Sequence, residues 1–309
     1  MPQRLSSQLN KEHAANAHTT LMLCGALACA AFASLSTTSF AAETDLHDIA
    51  IAPSAARIQA DIEKLVSFGT RHTLSETQSD TRGIGAARRW IEDEFNRISA
   101  DCGGCLEVFT VSDVVSGNRI ADPTEVLNVV AVLRGNVEPN RFAMMSGDID
   151  SRVSDVLDAT SDSPGANDNA SGMAGVLEAA RVLSQYQFAG SIAFVGLSGE
   201  EQGLYGGAIL AEHALAEGWQ IEAVINNDMI GNITGVNGVS NNATARVFSE
   251  GTRYVETPEE ARLRRFQGGE VDSASRNIAR YVHRSGERYI PNLDVMMICR
   301  LARFGRGGH

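Results

Sequence analysis

Hydrophobic residues recur along the chain with two spacings, and the switch between them outlines the architecture. At helical spacing they mark Ile58, Ile62, Leu65 and Val66, then Ile84, Ala87, Ile91, Phe95 and Ile98, then Met173, Val176, Leu177, Ala180 and Leu183. Asn169 or Ser171 is placed to cap the last of these helices. Runs rich in β-branched residues predict strands at 106–115, 126–133, 142–145, 192–197, 221–225, 246–249 and 293–298, with Gly117-Asn118 and Gly135-Asn136 as turns. The run at 192–197 is apolar without interruption, as strands covered on both faces are, and 221–225 and 293–298 are likewise expected to be buried strands. A helix is predicted over 203–213, and Thr257-Pro-Glu-Glu260 reads as a helix start with an acidic first turn. The alternation of strand and helix predicts an α/β fold with a mostly parallel mixed sheet flanked by helices.

Composition narrows the range of functions. The chain has 309 residues, 43% of them hydrophobic and 21% charged, enough for one large domain with a sizeable core. A formal net charge of -12 with no long basic run excludes nucleic acid as a partner, because phosphate binding needs clustered Lys and Arg. Residues 1–41 read as a signal peptide: Arg4 and Lys11 lie in a polar leader, 21–35 is apolar, and Ser39 and Ala41 are the small residues of a cleavage site before Ala42. The apolar stretch is shorter than the ~20 residues that cross a bilayer and is broken by Gly25 and Ser34, so no stable membrane span is expected. The mature domain is then 42–309, exported to the periplasm or beyond. In that oxidising setting Cys102 and Cys105 invite a small-loop disulfide; they also suit half a zinc site, but the sequence has no second pair. Cys299, within an apolar run, is expected to be a buried small hydrophobe.

Three acidic turns carry the candidate chemistry. Asp168 lies in the small-residue segment Ser163-Pro-Gly-Ala-Asn-Asp-Asn-Ala-Ser-Gly172, Glu200 and Glu201 directly follow an apolar strand, and Asp228 follows another. Each stands at the carboxyl end of a predicted strand, where open α/β sheets gather ligands. Taken singly, Asp168 reads as a turn or cap residue, Glu200-Glu201 as a solvated helix start and Asp228 as a loop acceptor. Their shared order among Gly-rich strand ends points instead to a metal site. Neighbouring side chains cannot point the same way, so one of Glu200 and Glu201 ligates while the other faces the attacking water. His72, in the polar loop Phe68-Gly-Thr-Arg-His72, reads as a solvated or hydrogen-bonded surface histidine rather than a ligand.

The segments Gly-Ala-Asn-Asp-Asn-Ala-Ser-Gly, Ser-Gly-Glu-Glu-Gln-Gly-Leu-Tyr-Gly and Asn-Asp-Met-Ile-Gly, in this order, closely resemble the secreted di-zinc aminopeptidase family, which includes glutamate carboxypeptidase. The resemblance covers roughly 126–309 and implies a three-layer zinc-aminopeptidase-like sandwich that holds two zinc ions and hydrolyses the amino-terminal bond of peptide substrates. It implies that Asp168 bridges the metals, Glu200 is the general base and acid, Glu201 binds the second metal and Asp228 the first. The family has His-x-Asp after the preceding strand, where this chain has Asp148-Ile-Asp150. Asp148 then takes the histidine's place as ligand and alters the first site toward harder ions, with Asp150 either beside the ligands or a substitute for one. Family members carry another metal-binding His beyond a segment like 301–309, so the resemblance leads one to expect a chain lacking its carboxyl-terminal part. Two other functions share these residues: a metal-dependent deacylase of small amides, and a degenerate peptidase-like binding domain.

Overall fold

Helical periodicity becomes burial on one side of a five-stranded sheet. In the computed structural model, which describes residues 46–250, 257–267 and 273–300, helices α1 (Leu46–Ile51), α2 (Ala55–Val66) and α3 (Gly83–Asp101) precede the first strand. Ile84, Ala87, Ile91, Phe95 and Ile98 of α3 are all buried, and each large side chain so removed from water contributes about 1.5–3 kcal/mol. Ser54 starts α2, its Oγ accepting the Arg57 N–H at 3.4 Å. The loop after α3 is closed by a Cys102–Cys105 disulfide.

The strands are β1 (Leu106–Gly117), β2 (Ile120–Leu133), β3 (Glu138–Asp148), β4 (Gly190–Leu197) and β5 (Gln220–Asn227), in the order β1-β2-β4-β3-β5. β2 runs against both its neighbours, β1 and β4, while β4, β3 and β5 pair in parallel, so four of the five strands share one direction, in keeping with the expected mostly parallel mixed sheet. Between β3 and β4 lie a π-helical segment (Ala166–Ser171) and α4 (Gly172–Leu183); between β4 and β5 lie α5 (Glu200–Gly203) and α6 (Tyr205–Ala216). Alternate residues of β2 divide the core. Val129, Ala131 and Leu133 face α2, α3 and α4 with Phe194, whereas Val130 and Val132 face α6 with Phe142, Val195 and Leu210. The result is a three-layer α/β sandwich. A buried ion cluster ties the first layer together: Arg181 of α4 reaches Asp61 of α2 at 2.5 Å and Glu94 of α3 at 3.1 Å, while Glu178 of α4 pairs with Arg57 at 2.5 Å.

Several expectations need correction. The helix predicted at 203–213 begins only after a break at Leu204, whose φ is 64°. β5 is a strand but not a buried one: it is the edge of the sheet, paired to β3 alone, and Ile221, Val224 and Ile225 are 41–47% exposed. An apolar run specifies a strand without specifying what flanks it. The strands β6 (Thr244–Glu250) and β7 (Asp294–Arg300) form a separate parallel pair on which α8 (Ala274–Tyr289) packs, α7 (Pro258–Gln267) preceding it in the chain. Val295 of β7 is buried against Gly286, but Met296 and Met297 are exposed, and so is Cys299. With two strands and one helix, that unit covers one face only. His72 is fully buried, not at the surface: its Nδ1 lies 3.1 Å from the Leu74 N, and its Nε2 lies 3.1 Å from the Val156 carbonyl and 3.0 Å from Gln202 Nε2. The expected signal peptide at 1–41 and the segment 301–309 lie outside the described residues.

Candidate metal centre

Three adjacent parallel strands end at the same rank. Asp148 of β3 stands beside Leu197 of β4, and Gly147 beside Asn227 of β5, so the chain leaves β3, β4 and β5 along one edge with Asp148, Glu200-Glu201 and Asp228 in its first few residues. Asp168 joins them from the π-helical segment, where Asp168 and Asn169 depart from helical angles and their shared peptide is cis. Asp148, Glu200-Glu201 and Asp228 thus leave three adjacent strands, whereas Asp168 enters from the segment ahead of α4 and not from a strand end.

Asn169 is the hub that holds three of the turns together, and its four bonds use the full capacity of an amide. Its Nδ2 donates to Asp148 Oδ2 at 3.0 Å and to the Asn227 carbonyl at 2.7 Å. Its Oδ1 accepts the Gly172 N–H at 3.1 Å, capping α4, and the Met229 N–H at 3.2 Å. Asp168, Asp148 and Asp228 are therefore indexed to one side chain, which the sequence marked only as a possible cap. Gly172 must be glycine for this approach, since a Cβ there would lie 2.1 Å from the Asn227 carbonyl oxygen.

Asp150 organises the fourth turn. Its Oδ1 accepts the Glu200 N–H at 3.2 Å and its Oδ2 the Glu201 N–H at 3.1 Å and the Thr73 hydroxyl at 2.8 Å. It thereby holds the first turn of α5, which carries both glutamates. Gly199 makes the sharp entry to α5 with φ 75°. From beneath, Arg88 of α3 donates to Ser198 Oγ at 3.2 Å, and the Ser198 N–H donates to Asn128 Oδ1 at 3.0 Å. Thr73, Arg71 and Arg88 were not identified from sequence, because the bonds that tie them to the site run to Asp150, Ile149 and Ser198, 77 or more residues away.

The site holds concentrated negative charge. Burial, reinforced by Asp150, Asp228 and Asp168, raises the Asp148 carboxyl well above the ordinary range, against the lowering bond from Asn169. Burial first, then Asp148, Asp150, Glu201 and Asp228, pushes Glu200 up to about 8, and burial with Asp150 and Asp168 pushes Glu201 up to about 7 despite Arg152. Asp168 keeps an exposed side chain, yet the surrounding protein still raises it, with Arg152 and Arg71 opposing. Among the described residues no three His, Cys, Asp or Glu side chains converge on one cation position. Asp148 and Glu201 each turn an oxygen to a protein donor, Asn169 and Arg152. The donor set nonetheless fits a divalent cation: oxygen ligands of one sign, each raising the other's pKa, are relieved by the positive charge a cation brings.

These shifts set a pH dependence of stability. A carboxyl whose folded pKa exceeds its unfolded value keeps its proton longer when folded, so the folded state binds more protons between about 4.5 and the folded values of about 7 and 8. Stability therefore falls as pH rises through that window. In buffer containing a chelator the melting temperature should drop from about pH 5 to about pH 8, and zinc should reverse the drop at the upper end. A melting temperature that rises or stays flat over that range, with or without zinc, contradicts the account.

Residues 128–265, which contain all six acidic residues of the site, match the family described as Peptidase family M28. A probable zinc metalloprotease of Pyricularia oryzae is 44% identical over 256 residues, covering 82% of this chain and 51% of that protein. The chain thus spans about half the length of the curated relatives it matches. The crystal structure of the LapA aminopeptidase of Legionella pneumophila matches with a TM-score of 0.58 at 19% identity, over 86% of this chain and 58% of that one. A glutaminyl cyclase of Macrostomum lignano matches with a TM-score of 0.60 at 14% identity, over 85% and 76% of the two chains. At these identities the likeness is one of fold, and the sequence match says more: residues 128–265 match peptidase family M28, and the chain is similar to probable zinc metalloproteases.

Proposed function

We propose that this chain is a zinc-dependent exopeptidase, an aminopeptidase that hydrolyses the amino-terminal peptide bond of peptide substrates with a pair of zinc ions. The observation that carries this reading is the placement of Asp148, Glu200, Glu201 and Asp228 at the ends of adjacent parallel strands, with Asp168 next to the Asn169 hub that bonds to Asp148 and Asn227. Asp148, Asp168, Glu201 and Asp228 would hold the metal. When bound, zinc supplies positive charge that polarises a peptide carbonyl and acidifies water. Glu200 accepts the proton of the attacking water on its carboxylate and returns it to the leaving amine. A general base works best with a pKa near the operating pH, and a bound cation would draw Glu200 down from about 8 so that it is ionised for the first half of that task. Asp150 holds the Glu200 and Glu201 amides and so fixes the backbone from which both side chains start.

Export to an oxidising compartment belongs to the same reading, supported by the Cys102–Cys105 disulfide. The test of substrate class is a panel of aminoacyl chromogenic amides, N-acetylated amino acids and amino-terminally blocked peptides, assayed with chelator and with zinc. Hydrolysis confined to substrates with a free amine, lost with chelator and restored by zinc, is the expected result. Preference for the acylated compounds would make the protein a deacylase, and zinc binding without hydrolysis of any substrate would make it a binding domain.

A further inference from the structure

Glu201 is gripped by the protein at its backbone and at its side chain, and only one grip competes with a cation. Its N–H is held by Asp150 and its carbonyl accepts Arg119 Nη1, from the β1–β2 turn, at 2.7 Å. Neither of these touches the carboxylate. The side chain is held by Arg152, whose Nε donates to Glu201 Oε2 and whose Nη1 donates to its own neighbour, the Val153 carbonyl, at 3.1 Å. Glu201 is nearly buried, at 10% side-chain exposure, whereas Arg152 is 35% exposed. Arg152 lies two residues beyond Asp150 on the segment leaving β3, so the strand that brings in Asp148 also brings in a guanidinium. Its charge acts on Asp168 as well as on Glu201.

A guanidinium and a divalent cation make the same demand on a carboxylate oxygen, and one oxygen pair of this kind cannot serve both in full. We propose that Arg152 is a positioning residue that aims Glu201 and competes with the cation for it, and so sets the affinity of the metal position formed by Asp168 and Glu201. This inference rests on the reading of Glu201 as a metal ligand. The arrangement has two consequences. Glu201 is held close to its working direction by a partner that solvent can receive, since Arg152 is exposed enough to swing outward. Each cation that binds must displace the ion pair, so its affinity is lower than the carboxylates alone would give. The bland alternative is an ion pair at the surface that contributes almost nothing, as many do.

A double-mutant cycle read by metal affinity separates these possibilities. Zinc binding to the purified chain is measured by competition with a chromophoric chelator, for the parent, Arg152→Gln, Glu201→Gln and the double variant, with Arg152→Lys as the conservative control. Arg152→Gln should tighten the weaker zinc position about tenfold, within the range typical of energetic coupling between sites. In the Glu201→Gln background the same change should have an effect below about twofold, because the competed-for carboxylate is gone. Arg152→Lys, which keeps the charge but loses the planar fork, should fall between parent and Arg152→Gln. Unchanged or weakened zinc binding in Arg152→Gln overturns the proposal, and so does equal tightening in both backgrounds, which would reduce Arg152 to a distant charge. Should Glu201→Gln bind zinc as the parent does, the reading of Glu201 as a ligand fails first, and the two failures are told apart by that single variant.

Discussion

Replacing Glu200 by Gln is expected to lower kcat about 10²- to 10⁴-fold, the range that general acid–base catalysis supplies, while the protein stays folded and keeps its zinc. Gln is close to Glu in size and shape, and the backbone amide of residue 200 would still donate to Asp150. What is lost is the one group that accepts a proton at that point. The side chain is partly buried, raised in pKa by burial and by Asp148, and flanked by Glu201, whose Oε2 is already engaged by Arg152 and which cannot take over the task. KM should change little, because the carboxylate acts on the transferred proton and not on the rest of the substrate. Stopped activity assays, metal analysis and melting temperature on the same preparation are the measurements. Activity within about threefold of the parent would contradict the role, and loss of zinc together with activity would make Glu200 a ligand instead.

The largest loss of stability is expected for Arg71→Met. Arg71 is 1% exposed, and its guanidinium spends its donors on backbone carbonyls: Nε on Ile149 at 2.8 Å, Nη1 on Leu65 at 3.0 Å and Pro164 at 2.7 Å, and Nη2 on Gly165 at 3.0 Å. Burial lowers its pKa to about 10, against Asp150 and Asp168, so it stays charged at neutral pH. The side chain thus ties α2 to the segment between Asp148 and Asp150 and to the turn that leads into Asp168, and supplies positive charge beneath the carboxylates. Methionine fills much of the volume but donates nothing, and each buried acceptor left without a partner costs about 1–3 kcal/mol. A loss of more than about 3 kcal/mol in denaturant unfolding is expected, with partial recovery in Arg71→Lys, whose ammonium keeps the charge but cannot reach all four carbonyls. Stability within about 0.5 kcal/mol of the parent would show that water replaces those bonds freely.

The fold and the acidic residues of the site were legible in the chain for a definite reason. Apolar runs such as 192–197 end in a polar turn, so the sequence states where a strand stops, and in a parallel sheet the stopping points lie together. Asp148, Glu200, Glu201 and Asp228 are of this kind, whereas Asp168 comes from the small-residue segment ahead of α4. What holds them was not legible. Asn169 looks like a helix cap, and its bonds to Asp148, Asn227 and Met229 depend on three turns meeting in space. Arg71, His72 and Thr73 sit in a polar loop whose partners come from far along the chain, and polarity alone suggested exposure where the structure has burial. The exposed face of β5 was missed for the converse reason: hydrophobicity specifies that a strand forms, while strand order decides which strand becomes the edge.

The central claim is that the carboxylates gathered at this sheet edge form a zinc site, and zinc titration of the dialysed chain by isothermal calorimetry, beside Asp168→Asn, tests it most directly. Asp168 has an exposed side chain, so the amide should leave the fold intact while removing the charge that both metal positions would share. The account predicts saturable zinc binding by the parent and at least about tenfold weaker binding by Asp168→Asn, the scale on which changes around metal sites act. A parent that binds no zinc, or an Asp168→Asn variant that binds it as tightly as the parent, would contradict the account.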